Sequence, residues 1–169
     1  MSRDILVIVE HWKGQIDGIT YQLLAKGAQL AQSQGVGLSA LIVGHRLDDA
    51  IEVLKDKGMN TLLVMDDPEL GQAGPDVVAA VIAEAVRRVD AGLVLIGYSL
   101  VGMELAPPVA ARLGATLMTN CVNVEIVDGE FVVTRPLFDG TVHARIALEG
   151  KGPAKRQAKG PAVVALQRG

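Results

Sequence analysis

Residues 90–115, DAGLVLIGYSLVGMELAPPVAARLGA, decide the fold. Leu93, Val94, Leu95 and Ile96 form an uninterrupted apolar run, so the pattern predicts a strand over residues 92–96 with both faces covered, as in a parallel sheet between helices. Gly97, Tyr98, Ser99 and Gly102 then read as a polar, glycine-bounded loop, and a helix is predicted from about residue 103 to residue 113, ending at Gly114. The loop falls at the carboxyl edge of the strand. Open α/β sheets gather ligands and partners there, and a helix that starts at that edge presents free backbone N–H groups. Pro107 and Pro108 lie early in the predicted helix, which implies a kink or a late start.

Upstream, the same alternation repeats. Residues 5–9 (ILVIV) are a buried strand ending at Glu10, followed by the polar connection EHWKGQIDGI. Thr20 is a candidate N-cap for a helix carrying Leu23, Leu24, Ala28, Leu30 and Ala31 at helical spacing, stopped by Gly35. Strands are predicted at residues 38–43 and 61–65, and helices at 48–57 and 76–89, the latter closing on Arg87 and Arg88. Strand and helix in strict alternation predict right-handed crossovers and a doubly wound, mainly parallel α/β sheet with helices on both faces.

Downstream of Gly114 the pattern changes. Residues 122–127 and 131–134, joined by Asp128 and Gly129, predict a hairpin, because Asp-Gly between β-branched residues is a strong turn signal. Residues 142–148 and 162–166 are further strands, so an antiparallel extension is expected near the C-terminus, with a free edge able to hold a partner or a second copy. The basic stretch with Lys151, Lys155, Arg156 and Lys159 reads as an exposed loop.

Half of the 169 residues are hydrophobic and the formal net charge is -3, so a sizeable core is expected and a broad basic field for nucleic acid or anionic membrane is not. No apolar run approaches the about 18 residues that span a bilayer. The single cysteine, Cys121, excludes an internal disulfide and fits a reducing compartment, with cytoplasm the expected location.

Candidate binding residues cluster at the ends of the first and fourth strands. Glu10 and His11 follow the first, with Trp12 and Lys13 beside them, and Gly97, Tyr98, Ser99 and Gly102 follow the fourth. Backbone amides of residues 97–102 could hold the phosphate of an adenine nucleotide such as AMP, although neither dinucleotide nor P-loop glycine motifs follow the first strand. Glu10 and Glu104 could form an acid/base pair, but no nucleophile accompanies them, and His11, His45 and His143 have no zinc spacing, so catalysis is not expected. Cys121 reads as a small buried residue at the start of a strand. Arg135, before a proline, reads equally as a partner contact or as a capped surface arginine. A bulky side chain at Gly102 is expected to disturb binding more than folding.

The order and wording of these segments resemble the N-terminal domain of the electron transfer flavoprotein alpha subunit. The likeness rests on ILVIVEH (5–11), GYSLVGMELAPPVAARLGA (97–115), TNCVNVEI (119–126) and TRPLFDGTVHARI (134–146), and it spans almost the whole chain. The resemblance implies a strand order of 3-2-1-4-5, with the loops after the first and fourth strands side by side. It implies half of an alpha subunit, a noncatalytic scaffold that docks a beta-type subunit as in the family's heterodimer and helps position a flavin held elsewhere. The family's FAD-holding second domain begins just after an arginine in the last strand, where this sequence ends. Residues 1–169 are therefore expected to be one such N-terminal-like domain that does not retain FAD alone, whether as an excised domain or as a free-standing relative. The alternative is a stand-alone adenine-nucleotide-binding sensor or regulatory module.

Overall fold

β1 (Asp4–Ile8) sends Ile5 and Val7 to one side and Leu6 and Ile8 to the other, and all four are buried. This alternation sets up two cores, one on each face of the sheet that β1 centres. The computed structural model describes residues 3–148 and 160–169. After β1 come the short strands β2 (His11–Trp12) and β3 (Gln15–Ile16), α1 (Gly18–Gln34), β4 (Leu38–Gly44), α2 (Asp48–Leu54) and β5 (Thr61–Asp66). A single 3-10 turn (Pro68–Gln72) leads into α3 (Pro75–Arg88), β6 (Ala91–Gly97) and α4 (Leu100–Leu113). The remainder is β7 (Thr116–Cys121), β8 (Asn123–Val127), β9 (Glu130–Leu137), β10 (Val142–Ala147) and β11 (Ala162–Leu166).

Among the described residues six strands form one parallel sheet in the order β5-β4-β1-β6-β11-β7. α1 and α2 cover one face through Leu23, Leu30, Ala50 and Leu54, packed on Ile5, Val7, Leu93 and Leu95. α3 and α4 cover the other through Ile82, Val86, Leu105 and Val109, packed on Leu6, Val94, Ile96 and Val163. This is the doubly wound α/β fold that the strand and helix alternation predicts. The order 3-2-1-4-5 holds, with β11 in the fifth place; paired on both sides, its AVVAL is buried throughout. β7 adds a sixth strand outside it. TLMTNC lacks the apolar run of a central strand because an edge strand is only half covered, so its pattern left no mark in the sequence. The predicted antiparallel extension is the three-stranded sheet β10-β9-β8, joined by the turn at Asp128 and Gly129, both at positive φ. The basic stretch falls outside the described residues.

Several local expectations shift. The N-cap of α1 is Asp17, whose carboxylate accepts from the Ile19 amide at 2.9 Å, and not Thr20, whose hydroxyl is used elsewhere. α4 starts earlier than predicted, capped by Ser99, and runs through both prolines to Gly114 at φ 59°. The carbonyls that Pro107 and Pro108 leave without amide donors belong to Met103 and Glu104, which are exposed, so water can satisfy them. Cys121 closes β7; it does not open a strand.

Candidate functional site

β1 and β6 lie side by side and parallel, so residues just past their carboxyl ends must meet. Glu10 and Ser99 do. The Ser99 hydroxyl donates to Glu10 Oε2 at 2.7 Å and accepts from the Gly102 amide at 3.0 Å. One hydroxyl thus caps α4 and ties it to the end of β1. Glu10 is fixed from behind as well: its amide donates to Thr20 Oγ1 at 3.0 Å, and the buried Thr20 hydroxyl donates back to the Glu10 carbonyl at 3.1 Å. Thr20, read from sequence as a helix cap, is a brace for Glu10.

The two glycines of the predicted loop serve close approach. A Cβ on Gly97 would stand 2.9 Å from Ile19 Cδ1 and 3.1 Å from Glu10 Oε2, so the absence of a side chain is what admits the carboxylate. Gly102 lies inside the first turn of α4, buried, where a Cβ would stand 1.8 Å from the Gly97 carbonyl oxygen. Tyr98 is half-buried against the α3/α4 core, and its amide donates to the Leu166 carbonyl at 2.6 Å.

His11 turns away from this group. Its Nε2 is 2.8 Å from the Val43 carbonyl, to which it can only donate, and Nδ1 then accepts from the Gly14 amide at 3.2 Å. The ring is therefore the neutral Nε2-H tautomer and pins the β2-β3 hairpin to the end of β4. The segment EHWKGQIDGI is thus a tight hairpin with Lys13 at φ 49° and Gly14 at φ 83°, and not an open connection. It displays Trp12, 75% exposed, with Lys13 Nζ 5.7 Å over its ring.

A second carboxylate at the same edge gave no sequence signal. Asp66, at the end of β5, accepts from the Leu47 amide at 2.8 Å, the Arg46 amide at 2.9 Å and His45 Nδ1 at 3.3 Å. Those bonds, the Leu47 amide first, hold its carboxyl below the ordinary range. Only the spacing of a strand-end aspartate from the GHRL loop of the neighbouring strand could have hinted at it. Cys121 is fully buried, and burial pushes its thiol up to about 11 against the opposing pull of Arg135.

Chemically the edge carries its own anion. Glu10 lies against the start of α4, and the Ser99 hydroxyl and the Gly102 amide there are engaged within the chain. A nearby cavity lined by Ile19, Leu23, Lys26, Val122, Leu166 and Gln167 has a volume of about 130 Å³, below the about 300 Å³ at which ligand pockets begin. No group of three or more His, Cys, Asp or Glu among the described residues could hold a metal ion, and no helix among them is long and apolar enough to cross a membrane.

The profile of the electron transfer flavoprotein domain family matches residues 5–154. The chain belongs to that family. It is 33% identical over 154 residues to the lactate dehydrogenase (NAD(+),ferredoxin) subunit LctC of Acetobacterium woodii, covering 90% of this chain and 37% of that one. Protein FixB of Clostridium saccharobutylicum is 31% identical over 147 residues, 86% of this chain and 44% of that one. The electron transfer flavoprotein subunit alpha of Thermoanaerobacterium thermosaccharolyticum is 28% identical over 152 residues, 89% and 46% of the two chains. The chain spans less than half the length of these curated relatives. The resemblance to electron transfer flavoprotein alpha read from the sequence is thereby shown, and the match begins at Ile5, in the first of the motifs that carry it.

Proposed function

We propose that this electron transfer flavoprotein domain is an alpha-type scaffold, without a catalytic centre of its own, that docks a beta-type subunit and helps position a flavin held elsewhere. The observation that carries this reading is the family match over residues 5–154 together with the alignment of 89% of the chain to a protein named electron transfer flavoprotein subunit alpha. Among the described residues, the switch-point edge gives FAD or AMP little support. The Glu10 carboxylate would repel a pyrophosphate at the switch point, and the adjoining cavity is too small for an adenine ring and ribose. In this reading Glu10, Gly97, Ser99 and Gly102 frame the edge, His11 and Tyr98 fix its flanks, and Arg135 faces the partner. The buried, unpaired thiol of Cys121 accords with a cytoplasmic setting.

The test is assembly. The purified chain is mixed with a co-encoded beta-type subunit, resolved by size-exclusion chromatography with multi-angle scattering, and assayed for flavin absorbance and for nucleotide released on denaturation. A one-to-one complex, with a colourless chain before mixing, is the expected result. Stoichiometric AMP or FAD released from the isolated chain, with no complex formed, would replace the scaffold by the nucleotide-binding module.

A further inference from the structure

Arg135 stands on the inward face of the small antiparallel sheet. Val133 and Val124 pair across β9 and β8 and are fully buried. Two residues on, Arg135 lies opposite Ala144, and two further on Leu137 lies opposite Val142, all on the same face because side chains alternate along a strand. The face therefore starts in the core and runs out uncovered: Leu137 is 37% and Val142 48% exposed, and beside them Val122, whose amide donates to the Thr134 carbonyl at 2.8 Å, is 42% exposed. Arg135 sits at the boundary. Its Nε is buried without a hydrogen-bond partner, and none of the ion pairs among the described residues includes it. The outer face of the same sheet behaves differently, since Arg145 there is paired with Glu125 at 2.6 Å.

We propose that Arg135 receives a carboxylate carried by the docking subunit, with Val122, Leu137 and Val142 as the apolar rim of that contact. The inference rests on the docking reading above and adds the chemistry of its contact. The Nε–H is covered by the chain itself, so a docking group would meet the two Nη groups, whose end-on pair of N–H donors a carboxylate fills with two oxygens. The rim supplies no polar group to hold the other oxygens of a free phosphate or sulfate, so the anion must arrive on an apolar surface. An arginine inside an apolar patch is also the composition of an interface hot spot. Left unpaired while a partner excluded water, the charge would oppose docking, so the partner must bring its counterion.

The test measures affinity for the co-encoded beta-type subunit and melting of the free chain in Arg135→Met, Arg135→Lys and Val142→Glu. Arg135→Met is expected to leave the free chain at least as heat-stable as wild type and to weaken assembly by about tenfold or more. Arg135→Lys should restore little, because an ammonium cannot grip both oxygens. Val142→Glu should weaken assembly by placing a like charge beside the carboxylate. Unchanged affinity in Arg135→Met, with wild type assembling, overturns this inference and leaves the docking reading standing. A lower melting temperature or failure to fold in Arg135→Met also overturns it, because the guanidinium would then serve its own chain. A wild-type chain that does not assemble removes the docking reading and this inference with it.

Discussion

The Ser99 hydroxyl donates to the Glu10 carboxylate across 2.7 Å, joining residues 89 positions apart at the carboxyl ends of two adjacent parallel strands. The same oxygen accepts from the Gly102 amide, so one side chain couples the exit of β1 to the entry of α4. Ser99→Ala removes both bonds, and its expected cost is about 1 kcal/mol for the cap with a further fraction for the half-buried carboxylate left alone. Glu10→Gln keeps an acceptor for Ser99 and loses only the favourable charge near the helix start, so about 0.5 kcal/mol is expected. Urea denaturation of the two variants checks the order. Equal stability of both variants and wild type would mean that the pair exists for a ligand and contributes nothing to the fold.

Gly102→Ala should damage folding first. A Cβ there would stand 1.8 Å from the Gly97 carbonyl oxygen and 3.4 Å from Ser99 Oγ, and the first of these is backbone that cannot turn aside. The entry of α4 would have to move away from β6, at roughly 3 kcal/mol or more. From sequence, Gly102 read as a loop residue whose substitution would weaken binding at little cost to the fold. The earlier helix start reverses that expectation. Thermal unfolding of Gly102→Ala and Gly102→Val decides it; wild-type melting in both would show that the helix entry is free to shift.

How far the sequence carried the fold follows from what each element buries. β1, β4, β6 and β11 are covered on both faces, and their apolar runs announced them. β7 sits at the sheet edge and alternates Thr, Met and Asn, which resembles a loop as much as a strand. The start of α4 lies earlier than expected because Gly102, which reads as the boundary of a polar loop, sits inside the first turn and lets two backbones touch. At the candidate site, the loops after the first and fourth strands are expected side by side, and Glu10, Gly97, Ser99 and Gly102 do meet in space. Their function toward one another was hidden, because a capping hydroxyl and a ligand-binding hydroxyl leave the same letter in the sequence. His11 was visible as a residue at the edge, but its fixed tautomer depends on the Val43 carbonyl, 32 residues away.

Asp66 organises the loop after β4, and acid should loosen it. Its carboxyl titrates below the ordinary value of 3.8 in the folded chain because the Leu47 and Arg46 amides and His45 favour the ionised form. A depressed folded value means that the stabilisation is present above the unfolded value and is lost as pH falls through the folded one. Wild type should therefore lose stability faster than Asp66→Asn below about pH 4, with the variant already less stable at neutral pH. Denaturant midpoints from pH 3 to pH 7 measure this, and parallel curves for the two proteins would rule it out.

Cys121 supplies the opposite pH dependence. Its thiol is fully buried at the end of β7, with Sγ 3.6 Å from the Thr119 carbonyl, and burial raises it from 9.0 to about 11 while Arg135 pulls weakly the other way. The neutral thiol is the form that the fold accommodates. Stability from this group is therefore complete below the unfolded value of 9.0 and declines as pH rises through about 11, since the unfolded chain releases the proton first. Cys121→Ala should remove that alkaline decline at the cost of a small cavity, about 1 kcal/mol at neutral pH. The thiol itself should react with a disulfide reagent at pH 7 only as fast as the chain opens, because the thiolate is scarce and covered. Arg135→Met removes a cation that favours the thiolate, so it should push the thiol higher still, as read by thiolate absorbance against pH in the folded chain. A native chain whose Cys121 reacts at the rate of a free thiol, or an Arg135→Met variant whose thiol titrates lower without any loss of stability, would contradict this account of the pair.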